Sequence, residues 1–279
     1  MKSLFSLLLV VIIGTGTATF SQTVTIGTQE WMTKNLDVST FRNGDPIPEA
    51  KTDEAWYRAS QNNQPAWCYY MNDTVNGRLY GKLYNWFAVN DSRGLAPMGY
   101  HIPSDEEWAV LIDYFGDNAE NKMKSKPIYE TKIRYEEEGG YYETKWVPCK
   151  NCSYWTEKQK ANNPCTVCRN QGGKTIKTGK YIPKTKKKIE EKIQIGGWNG
   201  TNESGFSGLP GGGRKIDGDF WGGIILKGYW SSLNGYWWSS SDYNTYFASN
   251  HELDDFNGSF YGLNKSHKSY GYSVRCLKD

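Results

Sequence analysis

Long apolar runs are scarce in this chain. The one that stands out, Leu4 to Ile13, follows Lys2 and precedes the small residues Gly14 to Ala18, the pattern of a secretory signal peptide over residues 1–22. It falls short of the roughly 20 residues a spanning helix needs, and no second run of that length follows, so no transmembrane anchor is expected in the mature chain. The chain is expected to be exported and to work in the periplasm, at the cell surface or in the medium, where disulfides can form. Histidine is also sparse: His101, His251 and His267 are scattered, with no HxxxH or His-Cys spacing to hold a metal or activate a nucleophile. His101 lies just before a helix start and reads as packed against the loop. A net charge of +3 over 279 residues gives no reason to expect a nucleic-acid partner. The basic run KTKKK near residue 186 reads as a solvated surface, and carboxylate runs such as Asp254-Asp255 and Glu136 to Glu138 read the same way.

Aromatic residues are abundant, at 15% with 12 Trp and 20 Tyr. Such rings serve both cores and binding faces. The best-specified element lies between Gly81 and Gly116. Ser104 is followed three residues later by Glu107, and Trp108, Leu111, Ile112 and Phe115 recur at helical spacing, so a capping box opens an amphipathic helix that Gly116 closes. Burying that face is worth about 1.5–3 kcal/mol per large side chain. The aromatic strands after residue 195 are expected to cover it. A short helix carrying Trp56 is expected from Asp53 to Tyr57, a buried strand over AWCYYMND, a turn at Asn76-Gly77, and loops through the Gly-rich stretch from residue 196 to 223. GLPGGGR has neither the strand before it nor the helix after it that a phosphate-binding loop needs.

Texture changes between about Ser125 and Ile195. Lys and Glu dominate there, Gly139-Gly140 separates two strand-like runs, and four of the six cysteines fall together. The expected organisation is a host domain in two parts, 23–124 and 196–279, interrupted by an inserted module at 125–195. Cys149 and Cys152 form one CxxC, Cys165 and Cys168 a second, and twelve residues separate the pairs. That is the spacing of a four-thiolate structural zinc site, in which each knuckle directs two sulfurs at one tetrahedral ion. Two disulfides or a thiol-redox motif are the competing readings. The knuckles resemble DnaJ-type cysteine-rich zinc modules, although Asn170 stands where that repeat has Gly, so metal binding carries over and a chaperone-like role stays an alternative. Cys68 and Cys276 remain, either as a bond joining the early fold to its last strand or as two buried thiols. A sugar-stacking platform is the functional reading of Trp230, Trp237 and Trp238 with Tyr229 and Tyr236, and core burial is the other.

The segments WMTKNL, AWCYYMND, GKLYNWFAVND, GLAPMGYHIPSDEEW, TNESGFSGLPGG, YWWSSS and GYSVRCLKD resemble the Fibrobacter succinogenes major paralogous domain family of exported bacterial proteins. A more distant likeness joins YHIPSDEEW and GYSVRC to the formylglycine-generating-enzyme and C-type-lectin-like folds. It implies an irregular α+β domain with paired terminal strands, into which a zinc-ribbon-like β module is inserted. The EPN or QPD tripeptide and WND strand of calcium-dependent lectins are absent. The nearest oxygen-ligand candidates for calcium are Asn202, Glu203, Asp217 and Asp219, which read first as turn residues making backbone hydrogen bonds. The family carries no catalytic activity to transfer. The expected function is an exported, non-catalytic binding or structural module that contacts glycan or protein at the bacterial surface, with an enzyme acting on surface polymers as the alternative.

Overall fold

The computed structural model describes residues 22–150, 173–223, 233–255 and 261–279. Both helices and sheets are present, as an α+β chain requires. Two compact units emerge. One is drawn from both ends of the chain, up to Tyr129 and from Gln194 onward, and the other is Glu130–Ile193.

In the first unit the chain ends meet. Thr23–Ile26 and Gln29–Met32 form a tight hairpin through Gly27, whose φ of 59° lies in the left-handed region that a two-residue connection demands. The closing strand Leu277–Lys278 then sits between this hairpin and Tyr100–His101, with Leu277 opposite both Trp31 and His101. A five-stranded sheet runs in the order Phe220–Gly223, Gly211–Arg214, Asn234–Asp242, Phe247–Asp254, Tyr261–His267.

The expected capping box is formed. Ser104 Oγ accepts from the Glu107 amide at 3.3 Å and the Ser104 N–H donates to Glu107 Oε2 at 2.8 Å, opening a helix over Asp105–Phe115 that ends at Gly116. Its Trp108 and Leu111 are fully buried, whereas Ile112 and Phe115 are half-buried. Trp31 lies 4.9 Å from Trp108 and Phe206 5.9 Å from it; Trp237 and Leu253 from the later strands complete that core. The Trp56 helix spans Asp53–Gln61, capped by Thr52 Oγ accepting from the Ala55 amide.

Two segments depart from expectation for tertiary reasons. AWCYYMND is strand only at Trp67–Cys68; the chain then turns at Met71, φ 55°, and Asp73 caps a helix over Thr74–Tyr80 that absorbs the Asn76-Gly77 signal. Gly77 is needed inside that helix because a Cβ there would lie 2.4 Å from the Tyr69 ring. The glycines of GGGR form a buried strand instead of a loop. At Gly212 φ is 61°, and a Cβ would meet Trp221 O and the Tyr70 ring at 2.5 Å. Absence of side chains there lets aromatic rings close on the backbone.

Five cations are drawn into this aromatic interior. Arg214 donates to Ala50 O at 2.6 Å, Gly218 O at 3.0 Å and Asp53 Oδ1 at 2.9 Å while lying over Trp56 and Phe220. Arg275 stacks on Phe206 and donates to Met32 O, Phe206 O and Asn35 Oδ1. Lys82 lies over Trp67, Lys124 over Trp198 and Lys268 over Trp86, each with a carboxylate partner. Every one is spent on structure, since buried charge is tolerated only with its donors satisfied.

The second unit has a different construction. Most of Ile128–Glu138 pairs with Thr185–Gly196, and Tyr141–Pro148 pairs antiparallel with Gly173–Ile182, Pro148 standing opposite Gly173. Gly139 and Gly140, at φ 87° and 75°, join the first strand to the second. Tyr129 at the entry to this unit, and Ile133, Tyr135, Tyr141 and Tyr181 within it, are exposed.

Candidate functional site

The tryptophan doublet belongs to the core, which corrects the sugar-platform reading of Trp237 and Trp238. Successive strand residues point to opposite faces, and here both faces are covered. Trp237 packs with Trp31, Trp108 and Phe206 and donates to Asn35 Oδ1 at 2.8 Å; Trp238 packs with Tyr84, Trp86 and Tyr272 and donates to Tyr84 O at 2.8 Å. Tyr236 is buried as well, 4.8 Å from Tyr272. Tyr229 and Trp230 lie outside the described residues.

The Cys68–Cys276 bond is likewise corrected, because both thiols are free and belong to different core clusters. Cys68 packs with Ala50, Trp56 and Tyr70, and Cys276 with Tyr100, Tyr272 and Val274. Burial pushes each thiol up to about 12, so neither is a nucleophile at neutral pH. Of the knuckle cysteines, Cys149 is described and buried at the end of its strand, while Cys152, Cys165 and Cys168 lie outside the described residues, as do residues 1–21 of the expected signal segment. Asn202 spends its side chain on a clamp: its Nδ2 donates to Ser207 Oγ at 2.9 Å and its Oδ1 accepts from the Ser207 amide at 2.8 Å. Glu203 is exposed, and Asp217 Oδ1 accepts from the Asp219 amide as a turn residue. Among the described residues no group of three His, Cys, Asp or Glu side chains converges as a metal site.

Two histidines are engaged in opposite ways. His101 bridges Glu107 Oε1 and Asp279 Oδ1, each at 2.8 Å. Partial burial disfavours its cation, but the two carboxylates outweigh that and leave its pKa above the ordinary value. His251 stacks on Trp108 at 4.6 Å with Asp105 Oδ1 3.8 Å away, and its burial pulls the pKa down. His251 is buried and serves packing, whereas Asp105 is half-buried at the start of its helix.

The aromatic residues that do face solvent lie elsewhere. Asp242 to Phe247 turns between two strands of the five-stranded sheet and exposes Tyr243, Tyr246 and Phe247. Asn244 Oδ1 accepts from the amides of Tyr246 and Phe247, both at 2.9 Å, and the Lys268 amide donates to Tyr246 O at 2.9 Å, so the turn is braced from within and from below. His267 stands 5.7 Å from Phe247 and 6.5 Å from Tyr246, and Lys265 Nζ lies 3.4 Å from the Tyr243 ring centre. The sequence signal for this patch is three rings around an Asn turn in DYNTYF, less conspicuous than the Trp doublet nearby. Exposed rings on a fixed turn can stack on the apolar faces of sugars or enter a protein interface.

Two clefts open in the same unit. One, of about 370 Å³, is lined by Arg42, His101, Glu107 and Ser240; Arg42 is held by the carbonyls of Ala96, Pro97 and Tyr100. The larger, about 660 Å³, runs between the segment Thr33 to Asp37, the helix end at Arg78 and the loop of Asn202 and Ser207. No helix among the described residues is long and apolar enough to cross a membrane. The family model described as the Fibrobacter succinogenes major domain matches residues 24–278. No curated protein and no solved structure matches the chain.

Proposed function

We propose that this chain, which belongs to the Fibrobacter succinogenes major domain family, is an exported binding module that contacts carbohydrate at the bacterial surface through its Tyr243–Phe247 turn. The supporting observation is three rings held in solvent on a braced turn, in a unit whose described tryptophans and buried cations are otherwise committed to packing. Rings presented on a rigid base lose little freedom on binding. Glycan-array binding by the full chain tests this. Tyr243→Ala/Tyr246→Ala is expected to abolish retention with melting temperature unchanged, and equal retention by this variant overturns the reading.

The second unit is a zinc-stabilised arm in this proposal, with Cys149, Cys152, Cys165 and Cys168 as thiolate ligands. Two-stranded ribbons are marginal in water, and Ile133, Tyr135, Tyr141 and Tyr181 of this unit are exposed. Pro148 and Gly173 are paired, so the segment carrying the other three cysteines leaves and returns at one point, where a metal clip would add most. Metal analysis with thiol counting on protein recovered from its native compartment decides it: one zinc and four thiols support the site, and two disulfides overturn it.

A further inference from the structure

We infer that the larger cleft of the first unit is a second binding site, for an acidic oligosaccharide carrying carboxylate or sulfate groups. It shares no residue with the Tyr243–Phe247 turn and does not depend on it. Lys34, Arg78 and Lys126 line the cleft, all exposed, and among the described residues none of these side chains has an ion-pair or hydrogen-bond partner. The five buried cations of this unit, by contrast, are satisfied. Asp37, the carboxylate on the rim, is held by Lys82, so the cleft keeps an uncompensated positive field.

A second observation is independent of charge. Ser125 also lines the cleft, is only 6% exposed, and its Oγ has no hydrogen-bond partner. An orphaned hydroxyl is costly in a packed unit and is relieved when a ligand oxygen meets it. The walls are preformed. Asn35 Nδ2 donates to Tyr80 O at 2.8 Å and Ser273 Oγ at 3.2 Å, while Asn35 Oδ1 accepts from Trp237 and Arg275, and the Asn202–Ser207 clamp holds the opposite side. At about 660 Å³ the space suits a ligand of a few sugar rings. Three cations with a hydroxyl call for a ligand that is both anionic and rich in oxygen donors and acceptors.

Calorimetric titration of the full chain with tri-galacturonate, a sulfated heparin trisaccharide, neutral cellotriose and inorganic phosphate tests the site. One or both acidic sugars are expected to bind, at least tenfold tighter than cellotriose, and to weaken as salt rises; which one binds identifies the acidic group. Arg78→Glu/Lys126→Glu is expected to reduce that affinity at least tenfold, and Ser125→Ala several-fold, with melting temperatures not lowered. Tyr243→Ala/Tyr246→Ala is expected to leave it intact, which separates this site from the aromatic turn. No binding of either acidic sugar, binding of phosphate alone, or affinity unchanged in the charge-reversed or Ser125→Ala chain overturns the inference.

Discussion

The two units solve the problem of staying folded in opposite ways. The first closes aromatic rings over cations and over its own glycines, so that even paired tryptophans on one strand are buried on both faces. In the second, the described rings of Tyr135, Tyr141 and Tyr181 stand in solvent on paired strands. The lesson is that strand content says nothing about where stability resides. In the first unit it comes from side-chain burial, and in the second, under the zinc proposal, it comes from a bound metal.

Metal removal should separate them most strongly. Structural zinc in small domains is worth on the order of 10–16 kcal/mol, so chelation is expected to abolish protection from hydrogen exchange over Glu130–Ile193 while the near-ultraviolet dichroism of the first unit persists. Equal protection with and without chelator would break the contrast. Truncating one ring in each unit comes next. Trp108→Ala should cost about 3–5 kcal/mol, whereas Tyr135→Ala, on an exposed strand, should stay within about 0.5 kcal/mol, as read by denaturant melts. Ser104→Ala removes the cap of the central helix and is expected to cost about 1 kcal/mol.

The smallest effect concerns pH. His101 has its pKa raised in the folded state, so its contribution is complete below about pH 6.5, the ordinary value, and is lost as pH rises through the raised pKa. His251 has its pKa lowered, so its contribution is present above that value and is lost as pH falls toward the depressed pKa. His101→Gln is therefore expected to flatten the alkaline flank of the stability profile of the first unit, and His251→Gln the acid flank. Profiles unchanged by either substitution would remove both histidines from the account.

What the sequence reveals is mainly local. Ser104 and Glu107 define their helix because both halves of the capping box lie within four residues, and the short helix carrying Trp56 is likewise a local reading. Burial of Trp108 is readable from helical spacing, and paired N- and C-terminal strands, which meet at Leu277 and Trp31, are what the more distant fold likeness implies. Gly77 and Gly212 mislead because they make room for rings outside their own elements, Tyr69 and Tyr70, and a glycine needed for close approach looks like a turn when read alone. The same holds at the candidate sites. Trp237 and Trp238 draw attention by ring size, yet exposure is decided by what covers a strand, and Tyr243, Tyr246 and Phe247 stand out only once the turn is seen to protrude. Lys34, Arg78 and Lys126 carry no motif at all; they share one cleft only because three separate segments meet there.

The placement of Leu277 between Trp31 and His101 bears on how such a chain is made. Until Leu277 has left the ribosome, the early hairpin and the strand at Tyr100 have no strand to bridge them. The first unit therefore closes only after Leu277 has been synthesised, its opening hairpin formed but not yet joined to the strand at Tyr100.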